Sequence, residues 1–96
     1  MVLHTLNRSS FGFDLAGLLR AAVPGDTLLL LEDGVYAALD DATLARFRDA
    51  GLTPKLLQAD AAARGIDTKV PADVESVTYA GFVQLVCDTD KTVAWF

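Results

Sequence analysis

The fold is decided by TLLLLEDG, residues 27–34 of the sequence. Its first five residues show no polar alternation, which is typical of a strand that lies between helices in a parallel sheet and is buried on both faces. Glu32, Asp33 and Gly34 then interrupt the apolar run, as the residues of a turn do. The stretch therefore predicts a central strand over residues 27–31 of an α/β protein.

Segments with strand and helix patterns alternate on both sides of this strand. Short apolar or β-branched runs predict further strands at residues 2–6, 55–59, 74–77 and 92–96. Apolar residues at helical spacing predict helices at residues 11–22, 35–39, 42–50, 60–64 and 79–86. Such alternation implies right-handed crossovers and a sheet covered on both faces. The predicted architecture is a three-layer α/β/α sandwich with a mostly parallel sheet of about five strands, formed by one domain over residues 1–96.

The composition is more apolar than a small soluble monomer requires. Hydrophobic residues make up 52% of the 96 residues, and the mean hydropathy is +0.34. A domain of this size buries only about 60–65% of the surface that its unfolded chain exposes, so part of the apolar content stays on the surface. Large exposed apolar patches mark interaction sites. We therefore expect the protein to oligomerise.

Charge and residue content exclude several classes of function. A net charge of −5, with Lys and Arg scattered along the chain, opposes direct binding of nucleic acid. The single Cys87 and the single His4 provide neither an internal disulfide nor a ligand set for a transition metal, and no cofactor is expected. Apolar runs such as residues 28–31 are far shorter than the roughly 20 residues that span a membrane. Because the sequence does not start with a secretory signal, we expect a cytoplasmic protein.

Two turns stand where ligand sites form in parallel sheets. Residues 7–10 and 32–34 follow predicted strands, and sites of α/β proteins lie beyond the carboxyl ends of strands. Neither turn carries the glycine pattern of a phosphate loop, and the two acids of the second turn would repel an anion. Ser9 or Ser10 could be combined with His4 and a distant aspartate, but no nucleophile elbow is present. We expect His4, inside an apolar strand, to be a hydrogen-bonded structural residue.

The paired acids and the cysteine each have a structural interpretation. Adjacent acids at residues 32–33 and 40–41 diverge in direction, so we expect solvated turns and helix caps rather than a glycosidase or cation site. Cys87 follows Val83 and Val86 near the end of the last predicted helix, which suggests partial burial against an apolar stripe. Its acidic neighbours and its place at a helix C-terminus disfavour a thiolate. A structural cysteine is the preferred interpretation, and a sulfur carrier is the alternative.

The sequence ends on a strand pattern with two large aromatic residues, Trp95 and Phe96. Leaving them in water would forfeit roughly 1.5–3 kcal/mol for each side chain that could be buried. Chain ends also fray unless they are tied down. We therefore expect the last strand to be packed, either on the core of this chain or on a partner protein.

Four stretches of the sequence together resemble the DsrH/TusB family from end to end. They are LHTLNRS at residues 3–9, LLLEDGVYAA at residues 29–38, ARG at residues 63–65 and AWF at residues 94–96. Their order, their spacing and the length of the chain make the resemblance specific. It implies a small α/β sandwich that assembles with DsrE/TusD-like and DsrF/TusC-like sister subunits into a hexamer of two heterotrimers.

The resemblance also implies a function. Persulfide sulfur passes between cysteines of successive proteins to a downstream acceptor. In the Tus branch it becomes the 2-thio group of the wobble uridine of certain tRNAs, and in the Dsr branch the complex serves sulfur oxidation. Some Dsr-type members carry a cysteine in the first helix, at a position that aligns with Leu18. Leucine cannot carry sulfane sulfur, so the chain resembles the Tus type and the transfer cysteine belongs to its TusD-like partner.

The sequence thus predicts a non-catalytic subunit of a cytosolic sulfurtransferase complex, whose functional residues lie at its interfaces. An aromatic residue at the carboxyl end of the central strand could dock on a neighbouring subunit, and the terminal aromatics form a second candidate surface. The candidate interface residues are Asp33, Gly34, Val35, Tyr36, Trp95 and Phe96. Three alternatives stay open: a persulfide carrier through Cys87, a DsrEFH-type subunit that serves sulfur oxidation, and a stand-alone flavodoxin-like domain that binds a small ligand.

Overall fold

A parallel sheet forms the centre of the protein, seen in a computed structural model that describes residues 1–9 and 15–96. The strands within these residues are β1 (Val2–Leu6), β2 (Thr27–Leu30), β3 (Thr53–Leu57), β4 (Glu75–Val77) and β5 (Lys91–Trp95). Their order across the sheet is β4-β3-β2-β1-β5, and every neighbouring pair is parallel. The predicted α/β fold is confirmed, with a sheet that is entirely parallel over the described residues.

Helices connect the successive strands. They are α1 (Leu15–Ala21), a 3-10 helix (Glu32–Leu39), α2 (Asp41–Asp49), α3 (Gln58–Ala63) and α4 (Tyr79–Asp88). The part of the first helix that was expected at residues 11–14 lies outside the described residues. Within the parts of the chain that are described, no helix has the length and apolar character needed to cross a membrane.

The third strand begins and ends two residues earlier than the sequence pattern predicts. β3 ends at Leu57, and α3 begins at Gln58 instead of residue 60. Pro54 lacks the N–H that a central strand normally donates, so a local pattern favours a strand that starts after it. In the structure Pro54 is the second residue of β3 and pairs with Leu28 of β2. The alanine-rich residues after Leu57 have a high helix propensity, and this propensity ends the strand early.

The two faces of the sheet are covered unequally. Alternation along the strands sends Leu6 and Leu28 to the first face, where they pack with α1, the 3-10 helix, α2 and α3. Leu3 and Leu29 point to the second face, where α4 covers them through Phe82. The connections from β1 to β2, β3 and β4 all cross the sheet in one direction, whereas the connection from β4 to β5 returns in the other. Because each crossover is right-handed, the returning connection places α4 on the face opposite to the other helices. The three-layer sandwich therefore has one thick and one thin helical layer.

Candidate functional site

The carboxyl edge of the sheet brings together the stretches that carry the family resemblance. The backbone N–H of Leu31, after β2, donates to the carbonyl of Leu6 at 3.1 Å. The backbone N–H of Asn7, after β1, donates to the carbonyl of Trp95 at 3.4 Å. Because β1 lies between β2 and β5, three of the stretches lie side by side at this edge, namely residues 3–9, 29–38 and 94–96.

The remaining stretch that carries the resemblance, residues 63–65, contacts the same edge through an ion pair. Arg64, after α3, donates from its Nε to Oδ1 of Asp33 at 3.0 Å and from Nη1 to the carbonyl of Asp60 at 3.2 Å. The backbone N–H of Glu32 donates to Oδ2 of Asp60 at 2.6 Å. These contacts tie the start of the 3-10 helix to α3. An exposed ion pair of this kind contributes about 0–1 kcal/mol, so its main effect is to orient the turn.

Gly34 fixes the geometry of the turn after β2. Its N–H donates to the carbonyl of Leu31 at 2.9 Å, and a Cβ on this residue would fall onto the carbonyl oxygen of Leu6. Glu32 has a φ of +50°, a left-handed conformation that is uncommon for residues other than glycine. The sharp turn lets the 3-10 helix start directly over the end of β1, with Val35 pointing into the core.

The candidate interface residues occupy different environments. Val35 is fully buried and Gly34 is buried within the chain, so neither presents a side chain to solvent. Asp33 is exposed, Tyr36 is 39% exposed and Phe96 is 75% exposed. Partner contact at this edge remains a prediction, and the exposed side chains that could make it are Asp33, Tyr36 and Phe96.

Trp95 packs on the core of the chain and ends a buried hydrogen-bond chain. Its indole Nε1 donates to Nδ1 of His4 at 3.1 Å, and Nε2 of His4 lies 3.0 Å from Oδ2 of Asp26. Because Nδ1 accepts a hydrogen bond from the indole N–H, Nε2 carries the imidazole hydrogen and donates a hydrogen bond to the carboxylate. Both ring nitrogens of His4 are thus engaged, which confirms its structural role and leaves no nitrogen to activate a serine. The last strand is docked as expected at Trp95, whereas Phe96 is exposed.

Asp26 anchors this hydrogen-bond chain with an ionised carboxylate. Burial alone would raise the pKa of Asp26, because removing the carboxylate from water disfavours its charged form. The N–H groups of Val2 and Val23 each donate to this carboxylate at 3.0 Å, and His4 donates a third hydrogen bond. Together these donors outweigh the burial, and the pKa of Asp26 lies below its ordinary value.

The paired acids act in turns and caps. Asp40 is the N-cap of α2, where Oδ1 accepts from the N–H of Ala42 at 3.1 Å and Oδ2 accepts from the hydroxyl of Thr43 at 2.8 Å. This confirms the predicted helix cap. The described residues contain no group of three or more His, Cys, Asp or Glu side chains placed to hold a metal ion.

Cys87 is exposed, so the partial burial expected for it is wrong. α4 turns Phe82 and Leu85 toward the sheet, and the helical period then directs Cys87 away from it. The cysteine lines an open apolar groove of about 200 Å³ together with Phe82, Val83 and Val86. Since α4 begins at the carboxyl edge after β4 and ends before β5, Cys87 lies at the opposite end of the sheet from the stretches described above.

A second exposed surface on α4 was not recognised as such from the sequence. Tyr79, Val83 and Val86 are between 44% and 63% exposed, and α4 has no buried residue. The prediction treated this segment as an amphipathic helix with one apolar face. The signal that could have revealed the surface is the spread of apolar residues around most of the helix, with Gln84 and Asp88 as its only polar residues after Tyr79.

Comparison with known proteins identifies the relatives of this chain. The model of the family described as DsrH like protein matches residues 8–92. The proteins named TusB of Escherichia coli O81 (strain ED1a) and O6:K15:H31 (strain 536 / UPEC) are each 41% identical to it over 95 residues, which is 98% of this chain and 100% of theirs. Among solved structures, the E. coli YchN protein matches with a TM-score of 0.73 at 19% identity, covering 98% of this chain and 97% of YchN. A Thermotoga maritima protein solved by NMR matches with a TM-score of 0.66 at 23% identity, covering 90% of this chain and 91% of its own.

The two structural matches show the fold, a small parallel α/β sandwich like that of YchN. The sequence matches go further. The chain belongs to the DsrH/TusB family. Membership of this family supports a role as a sulfur-relay subunit that works in a complex with other subunits.

Proposed function

We propose that the chain is a non-catalytic subunit of a cytosolic sulfur-relay complex that supplies sulfur for 2-thiolation of the tRNA wobble uridine. In this proposal it assembles with one TusC/DsrF-like and one TusD/DsrE-like sister subunit, and two such heterotrimers form a hexamer. The cysteine that carries the persulfide belongs to the TusD-like subunit, and a downstream protein accepts the sulfur. The carboxyl-edge residues Asp33, Tyr36 and Phe96 contribute to subunit contacts.

The observation that carries this proposal is the absence of a thiol where the family stretches meet. At the carboxyl edge, the described residues offer carboxylates, an arginine and aromatic side chains, but no cysteine. The position that carries cysteine in some Dsr-type relatives is Leu18 here, and its side chain is fully buried in the core. The proposal therefore gives this chain a role through contacts with its partners rather than through a thiol at this edge.

The chemistry of the relay requires thiols on both partners of each transfer. A thiolate of the acceptor attacks the outer sulfur of the donor's persulfide, a new S–S bond forms, and the old S–S bond breaks. The donor leaves as a thiolate with the bonding electron pair, so the exchange needs no oxidant or reductant. Leucine at position 18 can take neither role, which is why the proposal assigns both to other proteins.

The first experiment tests assembly and transfer together. We expect the chain, co-expressed with its two sister subunits, to elute as one hetero-oligomer whose mass is measured by light scattering. We also expect the complex to transfer sulfur from a persulfide donor at an unchanged rate when Cys87 is replaced by serine. Loss of transfer by Cys87→Ser with assembly intact would overturn the non-catalytic assignment.

Cys87 supports a second candidate function, because its thiol is exposed and lies in an apolar groove. In that case the chain itself carries a persulfide, and the Cys87→Ser variant abolishes transfer while the complex still forms. Mass spectrometry of the wild-type chain after exposure to a persulfide donor then shows an added sulfur atom on the peptide that contains Cys87.

The pathway is tested in the cell. Removing the gene should abolish 2-thiouridine at the wobble position, measured by mass spectrometry of nucleosides from digested tRNA, and a plasmid copy should restore it. Normal thiolation in the deletion strain, with impaired growth on reduced sulfur compounds, would instead assign the complex to sulfur oxidation.

A further inference from the structure

The outer surface of α4 is apolar and has no partner within the described chain. It consists of Tyr79, Val83, Val86 and Cys87, here named the α4 stripe. These residues recur at helical spacing, and all four are exposed. The exposed fraction is more than two-fifths for Tyr79, Val83 and Val86. The groove beside them is lined by side chains without charge. Contiguous apolar surface of this kind marks a site of protein contact.

The charges around the stripe indicate the chemistry of its partner. The last turn of α4 contains Asp88 and no basic residue. A carboxylate at a helix C-terminus lies next to the negative end of the helix dipole, which is unfavourable. The Gln84 amide donates to Oδ1 of Asp88 at 2.8 Å, but an amide supplies no positive charge. A lysine or arginine from another molecule would be stabilised at this position by both the carboxylate and the helix end.

A second copy of this chain fits the stripe poorly. α4 has no cation to offer Asp88 of another copy, and each chain carries a net charge of −5. The occupant is therefore a different protein.

We propose that the α4 stripe docks an apolar helix face of a sister subunit, with a lysine or arginine of that subunit against Asp88. This proposal rests on the proposed complex and assigns one of its interfaces to the thin helical layer, away from the carboxyl edge. Docking covers Cys87, so the same thiol cannot exchange sulfur with a soluble acceptor while the complex is assembled. The interface and the carrier function of Cys87 therefore exclude each other.

The test compares two exposed valines that receive the same charge. Val83 is 63% exposed on the stripe, and Val23 is 59% exposed before β2, so neither substitution to glutamate disturbs the core. We expect Val83→Glu to weaken binding to the purified sister subunits more than about 100-fold, because a charge would be buried in the apolar contact. Val23→Glu should bind like the wild type. Equal binding of both variants would overturn the proposal.

The charge at the helix end is tested in the same assay. We expect Asp88→Lys to weaken binding about tenfold or more, because it places a cation against the partner's cation. Asp67→Lys, on an exposed loop, serves as the matched control. An unchanged affinity for Asp88→Lys would overturn the assignment of a basic partner residue.

Alkylation of Cys87 gives a readout that needs no variant. The thiol should react with iodoacetamide at least about tenfold more slowly in the complex than in the isolated chain, because docking blocks access to it. Unchanged reactivity in an assembled complex rejects the docking site but leaves the sulfur-relay subunit intact. Failure of the wild-type chain to bind its sister subunits rejects the proposed complex itself. A homodimer of the isolated chain that Val83→Glu disrupts would show that a second copy is the occupant.

Discussion

Gly34 shows how one residue without a side chain sets the geometry of the carboxyl edge. A Cβ at this position would overlap the carbonyl oxygen of Leu6, which belongs to the backbone of β1 and cannot swing away. We expect Gly34→Ala to lower the free energy of unfolding by about 3 kcal/mol or more, as overpacking against backbone does. Urea denaturation measures this change.

The control for Gly34→Ala is Gly17→Ala in α1. A Cβ at Gly17 would make an ordinary contact at 3.5 Å with the ring of Trp95. Alanine also favours a helix over glycine by about 0.5–1 kcal/mol, so this variant should be as stable as the wild type or more stable. If both variants lower the free energy of unfolding equally, the close approach of Gly34 to Leu6 does not explain the loss in Gly34→Ala.

Asp26 predicts a specific dependence of stability on pH. Its pKa lies below the ordinary value of 3.8 in the folded chain, so the unfolded chain binds more protons between the two pKa values and stability rises with pH there. The contribution is present above about pH 4 and is lost as the pH falls through the folded pKa. Asp26→Asn should lower the free energy of unfolding at pH 7 by about 1–3 kcal/mol, because the amide leaves buried donors without an acceptor.

The measurement for Asp26→Asn is a series of urea denaturations between pH 7 and pH 3. The difference in unfolding free energy between the wild type and the variant should shrink as the pH falls toward 3. A difference that stays constant over this range would mean that the carboxylate charge does not contribute.

At the scale of elements, the sequence predicts best where one periodicity dominates. The run Thr27–Leu30 has no polar alternation, and it forms the central strand of the sheet as expected. Prediction is less accurate where rules compete, as at β3, where Pro54 argues against a strand and the alanines after Leu57 argue for a helix. The boundary then depends on pairing with β2, which is a tertiary contact that a local pattern does not contain.

The last strand is held by its ladder to β1 and by the side chain of Trp95. We expect Trp95→Phe to lower the free energy of unfolding by about 1–3 kcal/mol, because it leaves Nδ1 of the buried His4 without its donor. Amide hydrogen exchange should speed up in β5 before it does in β2. Phe96→Ser is the matched control, since its side chain is 75% exposed, and it should leave both the stability and the exchange of β5 unchanged. If the two variants lower the free energy of unfolding equally, the loss comes from aromatic packing in general and not from the hydrogen bond to His4.

At the scale of the whole molecule, the excess of apolar residues is distributed over two surfaces. Tyr36 and Leu39 are exposed on the thick helical layer, and the α4 stripe is exposed on the thin one. Because the sheet separates the two layers, one flat neighbour cannot cover both surfaces. The mean hydropathy predicted an interface, but composition does not indicate where on the molecule an interface lies. The second surface becomes apparent only when the return connection from β4 to β5 leaves α4 alone on its face.

The first of these surfaces is tested by two neighbouring residues that point in opposite directions. Tyr36 is 39% exposed, whereas Val35 is fully buried in the core. We expect Tyr36→Ala to weaken assembly with the sister subunits about tenfold or more, as the loss of an aromatic anchor does, while the isolated chain keeps most of its stability. Val35→Ala should instead lower the free energy of unfolding by roughly 2 kcal/mol, because it removes buried methyl groups and leaves a cavity. Light scattering of the co-expressed subunits and urea denaturation of the isolated chain separate the two effects. If Tyr36→Ala unfolds the isolated chain, its ring belongs to the core, and the partner contact at the carboxyl edge must then be assigned to Asp33 and Phe96 alone.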